Sequence, residues 1–472
     1  MKESEKRRRS GVRWTTHLGL AVMCLGLVVA GHATLIVLPP GEAEMVRFLP
    51  DVAKGAFGGA ESPALTVWLS GIETLAGEAM WAKRVGMLFV GALVLYLTFL
   101  LGVELCGSLP GLPAVYVLLL VALSPMVYMQ SLLAHPEMLV MAGLMGALWL
   151  FLRERHPWGA VAALGAGLSV AAGAWVGLAL GGWLCREGRW RRGLPYVAAG
   201  WGAGVYWWMK REAPGMLGLS SSAFEAGRLL YFLLVGHGHW IAVAGMVVAW
   251  REGVLDRRRW RVALLVAAGF VLIQLFPGRG VVERGLMPVT PLLFTAGVAG
   301  LFVLRPGAKW VWYGALAGLL TAGHFVNPFF WPFAYENNLT FASDARLRVR
   351  AAKWLEENAA GKGVATAGPL AVALKEPKWG YVQKPMRVLG LPEFDMAALE
   401  AAREASPDVF VMYSHEWDPP ANLLRRRVFA WAAGRFLGMR EPLDPGLLES
   451  KLGMQRKAFL REGRLWAEVY MR

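Results

Sequence analysis

The sequence predicts a polytopic α-helical membrane protein with a smaller α/β domain at its carboxyl end. Of the 472 residues, 56% are hydrophobic, and a mean hydropathy of +0.42 is too high for a soluble protein. Apolar segments of roughly 17 to 25 residues, the length that crosses about 30 Å of hydrocarbon, recur along the first two thirds. The last third has the mixed composition of a globular domain. We therefore predict a membrane domain over residues 1–327 and an α/β domain over residues 328–472.

The first apolar segment, residues 16–38, is predicted to be a retained membrane span. It is longer than the core of a signal peptide, and it ends in Leu38-Pro39-Pro40 without a small-residue cleavage pattern. Basic residues precede it, which by the positive-inside rule places the amino terminus in the cytoplasm. These basic residues are Lys6, Arg7, Arg8, Arg9 and Arg13.

The later spans give a consistent membrane topology. Residues 158–184 are too long for one crossing and have Gly173 at their middle, so we predict two half-crossings there. With that division the basic loops at residues 153–155, 186–192, 251–261 and 305–309 all lie inside. The chain then makes about eleven crossings, and its carboxyl terminus lies outside. The further spans are predicted at residues 85–105, 113–132, 136–152, 158–184, 193–209, 226–250, 261–276, 285–304 and 310–326.

The charges and cysteines fit a membrane protein better than a nucleic-acid-binding one. The net charge of +15 lies mostly in the inner loops, where it indicates orientation and contact with anionic membrane lipids. Cys24, Cys106 and Cys185 lie in or near the membrane, so a structural disulfide is not expected. No cysteine–histidine spacing typical of a metal site is present.

The segments outside the spans have recognisable patterns. In the outer loop, residues 39–84, apolar residues from Leu65 to Leu75 recur at helical spacing, which predicts an amphipathic helix along the outer interface. Beyond residue 328 we predict helices at 343–359 and 396–405 and strands at 363–367, 387–391 and 408–413, the alternation of a small α/β domain. It contains no glycine-rich phosphate loop, so nucleotide binding there has little support. The triplet that begins at Asn338 matches a glycosylation sequon.

Carboxylates near the outer face are candidate catalytic residues. Glu42 and Glu44 follow the first span, and Glu137 stands behind Pro136 at the start of a later span. A carboxylate in a first helical turn is also favoured by the helix dipole alone, so Glu137 has a purely structural interpretation. An ionisable group at a membrane helix end is nevertheless a candidate functional group. Glu104, near the inner end of its span, is expected to extend to the interface or to lie at the level of the helix cap.

Arginines and histidines near the outer face are candidate binding residues. Arg279 and Arg284 lie in an outer loop, where a planar fork of donors suits the oxygens of a phosphate; anchoring to lipid headgroups is the alternative. His135, directly before Pro136, is a further candidate for substrate binding. His237 and His239 could begin a metal site, but no third ligand is evident, so packing or cavity lining is favoured.

Together these motifs resemble the GT-C superfamily of polytopic glycosyltransferases, in particular the branch of protein O-mannosyltransferases and lipid A aminoarabinose transferases. The resemblance covers about residues 10–330. Three positions depart from the family pattern: Gly41 replaces the leading aspartate, Gly173 a frequent lysine, and Gly285 an aromatic residue. The matching motifs are Gly41-Glu42-Ala43-Glu44, Glu61-Ser62-Pro63, Ser124-Pro125 followed by Glu137, and Arg284 followed by Met287-Pro288 and Pro291.

The resemblance implies transfer of a sugar, with inversion, from a polyprenyl-phosphate donor to an acceptor hydroxyl at the outer face of a bacterial-type plasma membrane. It implies that Glu42 or Glu44 acts as base, that Glu137 orients the acceptor or supports the base, and that Arg284 neutralises the phosphate. The acceptor could be a lipid, a glycan or a protein, and the resemblance leaves open whether a divalent metal assists the reaction. The alternatives are a catalytically inactive relative that binds or scaffolds lipid-linked glycan, and a transporter or flippase.

Overall fold

The computed structural model describes residues 14–40, 62–107, 109, 113–209, 227, 229–233, 236–274, 283–326, 338–415, 426–431 and 443–472. At residues 14, 15, 237, 256, 283 and 284 it describes the backbone alone.

The membrane half is built from helices joined by short connections. α3 has 27 residues, and among the described residues it is the one helix that is long and apolar enough by itself to cross a membrane, with a mean hydropathy of 2.3. The other strongly apolar helices have 10–17 residues, and the predicted number of crossings stays a prediction. The helices are α1 (Trp14–His32), α2 (Pro63–Ala76), α3 (Met80–Cys106), α4 (Pro113–Leu123), α5 (Pro125–Gln130), α6 (Pro136–Leu152), α7 (His156–Ser169), α8 (Ala174–Arg186), α9 (Trp190–Met209), α10 (His239–Arg251), α11 (Arg258–Gln274), α12 (Glu283–Leu286), α13 (Thr290–Leu301) and α14 (Pro306–Gly323).

Proline and glycine divide several of the predicted spans. Span 113–132 is divided into two helices. Pro125 has no N–H group to continue the hydrogen bonds of α4, and it begins α5 after Ser124, whose backbone is extended. Span 285–304 is likewise interrupted by the 3₁₀ turn Met287–Val289. Span 226–250 contains the turn Gly236–Gly238, whose left-handed Gly238 precedes α10.

The predicted division of residues 158–184 is confirmed. α7 ends at Ser169, the 3₁₀ turn Ala171–Gly173 follows, and α8 begins at Ala174. The turn packs so closely on α7 that a Cβ atom at Gly173 would overlap the carbonyl oxygen of Ala166. Glycine is therefore required at the break.

The outer loop 39–84 is shorter than predicted. α2 covers part of it, and Gly77 with a positive φ of 82° ends that helix. α3 begins at Met80, so Lys83 and Arg84 are helical. The predicted span begins only at residue 85, behind these two charged residues, whereas both of their side chains are buried in protein.

Two hydrophobic cores fill the membrane half. The proximal core, next to the C-terminal domain, contains Leu35, Leu69, Met138, Met287 and Phe341 among others. The second core lies beside it and contains residues such as Leu105, Phe151, Leu184 and Trp260. The end of α3 that carries Leu105 points away from the C-terminal domain and is here called the distal end.

Ion pairs join three basic loops at the distal end. Glu104 lies 2.5 Å from Arg153 and 3.3 Å from Arg259, and Glu187 lies 2.5 Å from Arg258. The loops around residues 153, 187 and 258 therefore meet at one end of the helices, as the predicted topology requires. Glu104 lies at the end of α3, where its side chain is 11% exposed and binds two arginines of these loops.

The C-terminal part is the α/β unit that the sequence predicts. Its elements are α15 (Thr340–Asn358), β1 (Gly363–Ala367), α16 (Leu370–Lys375), β2 (Arg387–Leu391), α17 (Met396–Ala405), β3 (Val409–Tyr413), α18 (Gly446–Leu452), β4 (Gln455–Glu462) and β5 (Leu465–Met471). The five strands have the order β2-β1-β3-β5-β4, with β1 parallel to both β2 and β3. The predicted strands at 363–367 and 387–391 and the helix at 396–405 match in their bounds, but the antiparallel hairpin β4–β5 was not predicted.

α15 links the two parts of the molecule. Its first turn, with Phe341, packs in the proximal core, and from Leu347 onward it packs against the sheet. Just before it, Asn338 is 1% exposed and donates through Nδ2 to the carbonyl oxygen of Gly323. The side chain of this sequon is therefore engaged in the fold and closed to glycan attachment.

Candidate functional site

The structure describes only part of the predicted site. Glu137 and His135 are described with their side chains. Arg284 lies in α12 with its backbone described, whereas Glu42, Glu44 and Arg279 lie outside the described residues.

Glu137 and His135 form a buried polar group where α5 meets α6. His135 is the extended N-cap of α6, Pro136 follows it, and Glu137 is in the first turn. The helix dipole favours a carboxylate there. His135 is 1% exposed, and the Oε2 atom of Glu137 is buried.

Gln130 belongs to the same group, and the sequence analysis missed it. It is the last residue of α5 and is fully buried. Nδ1 of His135 donates to its Oε1 atom over 2.7 Å. This bond fixes the imidazole and leaves the Nε2 atom of a neutral ring as its acceptor. An amide side chain within a mostly apolar stretch, five positions before the histidine, was the available signal.

The elements that carry the predicted site residues pack together. α6 contacts the turn Met287–Val289, which directly follows α12. Met138, Met287 and Leu35 share the proximal core. Met138 follows Glu137 in the sequence, Met287 stands three positions after Arg284, and Leu35 precedes the stretch with Glu42. Three distant stretches of chain thus meet at one core, next to the C-terminal domain.

Arg84 is the second residue that the sequence analysis missed. It lies in the second turn of α3 and is fully buried. Its Nη1 atom donates to the carbonyl oxygens of Leu35 at 3.2 Å, Ile36 at 3.3 Å and Leu38. Its Nη2 atom donates to the carbonyl oxygen of Pro39 at 3.2 Å. The guanidinium therefore binds the chain just before the stretch with Glu42 and Glu44.

Two neighbouring contacts complete this region. The Tyr381 hydroxyl, from the C-terminal domain, donates to the carbonyl oxygen of Pro40 over 2.9 Å. Lys83 lies 2.6 Å from Glu73 and so joins α3 to α2. Both the membrane helices and the C-terminal domain therefore contact the predicted outer loop.

One histidine of the predicted pair, His239, packs among aromatic rings. His239 is 2% exposed and stacks on Phe232 and Phe294, with ring centroids 4.5 and 5.6 Å away. The side chain of His237 lies outside the described residues. Within the part of the chain that the structure describes, no three His, Cys, Asp or Glu side chains are grouped as metal ligands.

Comparisons with solved structures identify the fold. No protein-family model matches the sequence, and no curated protein matches it. ArnT from Cupriavidus metallidurans bound to undecaprenyl phosphate is similar with a TM-score of 0.54 and 15% identity, over 96% of this chain and 97% of that chain. Its apo structure gives a TM-score of 0.53 and 14% identity, over 96% and 98%. This chain has the GT-C fold. The resemblance predicted from the motifs is therefore confirmed for the fold.

The GT-C fold confirms the coarse architecture. ArnT is a polytopic membrane protein with a C-terminal domain, and the present chain matches it along nearly its whole length. The archaeal oligosaccharyltransferase AglB from Archaeoglobus fulgidus, in complex with an inhibitory peptide and a dolichol-phosphate, is similar with a lower TM-score of 0.46 and 12% identity, over 84% of this chain and 69% of that chain.

Proposed function

We propose that this chain is an integral-membrane glycosyltransferase that moves a sugar from a polyprenyl-phosphate donor to an acceptor hydroxyl. The observation that supports this most is the match over 96% of the chain to ArnT, a GT-C protein crystallised with undecaprenyl phosphate. The polar group at the start of α6 and the motif order support it further. We place the reaction at the outer face of a bacterial-type plasma membrane, with a lipid, glycan or protein as acceptor.

The proposed reaction is a single displacement at the anomeric carbon. The acceptor oxygen attacks that carbon, and the bond from the carbon to the phosphate oxygen breaks with its electron pair. Polyprenyl phosphate is stable as an anion and leaves without protonation, so the one proton to remove is that of the acceptor hydroxyl. Glu42 or Glu44 accepts it as general base. The configuration at the anomeric carbon is inverted.

Arg284 is assigned to the phosphate. A guanidinium presents a planar fork of donors that matches phosphate oxygens, and it stabilises the charge that grows on the leaving group. Arg279 and His135 are assigned to the same substrate. The packing of α6 against the turn behind α12 supports a common cavity for Arg284 and Glu137.

Glu137 is assigned to orient the acceptor or to support the base. It stands in the first turn of α6, directly behind Pro136. An ionised carboxylate can accept a hydrogen bond from an acceptor hydroxyl and hold it for attack. His135 and Gln130, which bind each other, fix the chain directly before it.

A second candidate is a GT-C relative that binds lipid-linked glycan without transfer. Where the family often has a lysine, the backbone at Gly173 leaves no room for any side chain. Gly41 stands where the leading aspartate is expected. A chain without these groups could keep the binding cavity and lack the reaction.

Carboxylate variants test the proposal. Purified wild type and the variants Glu42→Gln, Glu44→Gln and Glu137→Gln are incubated with a panel of undecaprenyl-phosphate pentoses and hexoses as donors and a panel of lipids, glycans and peptides as acceptors, and transfer is measured. Loss of the base should lower kcat by about 10² to 10⁴-fold. The matched control is Glu104→Gln, which removes a buried carboxylate at the distal end and should leave kcat unchanged.

The outcomes separate the two candidates. Full activity of all three glutamine variants would refute the assignment of these carboxylates. A wild-type protein that binds undecaprenyl phosphate yet turns over none of the donors would favour the non-catalytic relative.

A further inference from the structure

Residues 35–40, here called the exit segment, are held from two sides. They follow α1 and lead toward Glu42, which stands two positions after Pro40. Arg84 of α3 binds the carbonyl oxygens of Leu35 and Pro39 among others. Tyr381 of the C-terminal domain binds the next carbonyl oxygen, that of Pro40. Consecutive carbonyl groups are thus bound by two different parts of the molecule.

The contact between the membrane helices and the exit segment is made by a buried cation, Arg84. Arg84 has no solvent exposure, and a charge in such a place must be matched by polar partners. The carbonyl oxygens of the exit segment supply them, and its Cζ atom lies 5.8 Å from the centre of the Phe341 ring. The planar guanidinium reaches several carbonyl groups at once, which the single ammonium of a lysine cannot reproduce.

The contact between the C-terminal domain and the exit segment is made by the Tyr381 hydroxyl, whose ring is held in a packed core. Tyr381 is 4% exposed and packs in the core of the sheet. Met80, the first residue of α3, packs against that same core. The domain therefore contacts the exit segment and the beginning of the helix that carries Arg84.

We propose that Arg84 and Tyr381 are positioning residues, through which the docked C-terminal domain sets the place of the exit segment for sugar transfer. The proposal rests on the proposed function for its effect on the reaction. It gives the C-terminal domain a role in catalysis without contact with donor or acceptor. Loosening the exit segment slows the chemical step and leaves donor binding in place, because the donor phosphate is assigned to Arg284.

Single-residue variants of the full chain in detergent test the effect on the reaction. Tyr381→Phe removes one hydrogen bond and should lower kcat about five-fold, with the donor KM unchanged. Arg84→Lys should lower kcat more, up to about a hundred-fold, because misplacement by about 1 Å has that effect. The matched control is Tyr413→Phe, which removes a buried hydroxyl that binds Gly368 within the same domain. It should leave kcat unchanged.

A second measurement does not depend on activity. Hydrogen exchange is followed at the amides of residues 35–38, the part of the exit segment that has N–H groups. Tyr381→Phe and Arg84→Lys should speed exchange there about five-fold or more, and Tyr413→Phe should not.

The results decide the proposal in each case. Unchanged exchange and unchanged kcat in Tyr381→Phe would overturn it, and so would an equal fall of kcat in Tyr413→Phe, which would indicate general destabilisation. If the wild type transfers no sugar, the proposed function fails, and faster exchange in the two variants still supports the positioning contact. Tyr381→Phe keeps the test open if Arg84→Lys does not fold.

Discussion

At the scale of single residues, the charges of Arg84 and Glu187 are compensated by different kinds of partner. Arg84 is buried against backbone carbonyl groups, whose dipoles do not titrate. Glu187 lies in the distal loop behind α8 and accepts two hydrogen bonds from Arg258, each of 2.5 Å. These bonds hold the pKa of the Glu187 carboxyl below its usual value. The contact between Glu187 and Arg258 therefore depends on pH.

We predict that Glu187 contributes its full share to stability above its unfolded pKa, near 4.5. A carboxyl whose pKa is lower in the folded state binds protons less tightly there, so its contribution is lost as the pH falls through the folded pKa. Glu187→Gln should lower Tm by about 1–2 °C at neutral pH, since partly exposed ion pairs are weak.

Thermal melts between about pH 6 and about pH 3.5 check this prediction. The difference in Tm between wild type and Glu187→Gln should become smaller as the pH falls. Glu357→Gln serves as control, because its pair with Lys353 is largely exposed and 3.9 Å long. A gap that widens in acid would contradict the assigned sign.

The sequence could place some candidate residues in the fold and not others. Glu137 could be placed at a helix start because an acidic residue behind a proline is a local pattern typical of one. Arg84 was missed because its partners stand 45–49 positions away and a charge near an apolar run is ordinarily a boundary. Its burial follows from the packing of α3 against the exit segment and α15, which no local pattern specifies.

At the scale of elements, close helix pairs depend on small residues. α10 and α13 approach so closely that a Cβ atom at Gly300 would overlap the carbonyl oxygen of Gly245. In a membrane, where lipid tails are as apolar as the helices, such close backbone contact is a main source of helix association.

We predict that Gly300→Ala destabilises the protein by about 1–3 kcal/mol, because the added methyl group must push the two helices apart. Gly314→Ala in α14 is the matched control, since nothing lies within 4 Å of its Cβ position. It should be neutral or slightly stabilising. Thermal unfolding followed by size-exclusion chromatography measures both, and an equal Tm for the two variants would contradict the close-contact argument.

Element bounds were predictable where the signal is local. β1 and β2 are short apolar runs between turn residues, and their bounds match the prediction. The hairpin β4–β5 was missed because β4 is a mostly exposed edge strand with charged residues such as Arg456 and Lys457. An edge strand of this kind has no apolar run to mark it.

At the scale of the whole molecule, the two ends of the helices differ in chemistry. The distal end gathers basic loops and their carboxylate partners, and the proximal end carries the C-terminal domain and the exit segment. The order of spans and the terminal domain could be predicted from hydropathy. The meeting of three stretches at the proximal core could not, because it depends on how the helices pack.

We predict that the distal end faces the cytoplasm, because basic loops are retained on that side. Cys185 lies exposed at this end, whereas Cys24 and Cys106 are buried. A membrane-impermeant maleimide should therefore leave Cys185 unlabelled in intact spheroplasts and label it after lysis. The control is Lys457→Cys, at an exposed position of the C-terminal domain, which should be labelled from outside without lysis. Labelling of Cys185 in intact spheroplasts would reverse the orientation and place the proximal site on the cytoplasmic face, where the proposed transfer to an external acceptor could not occur.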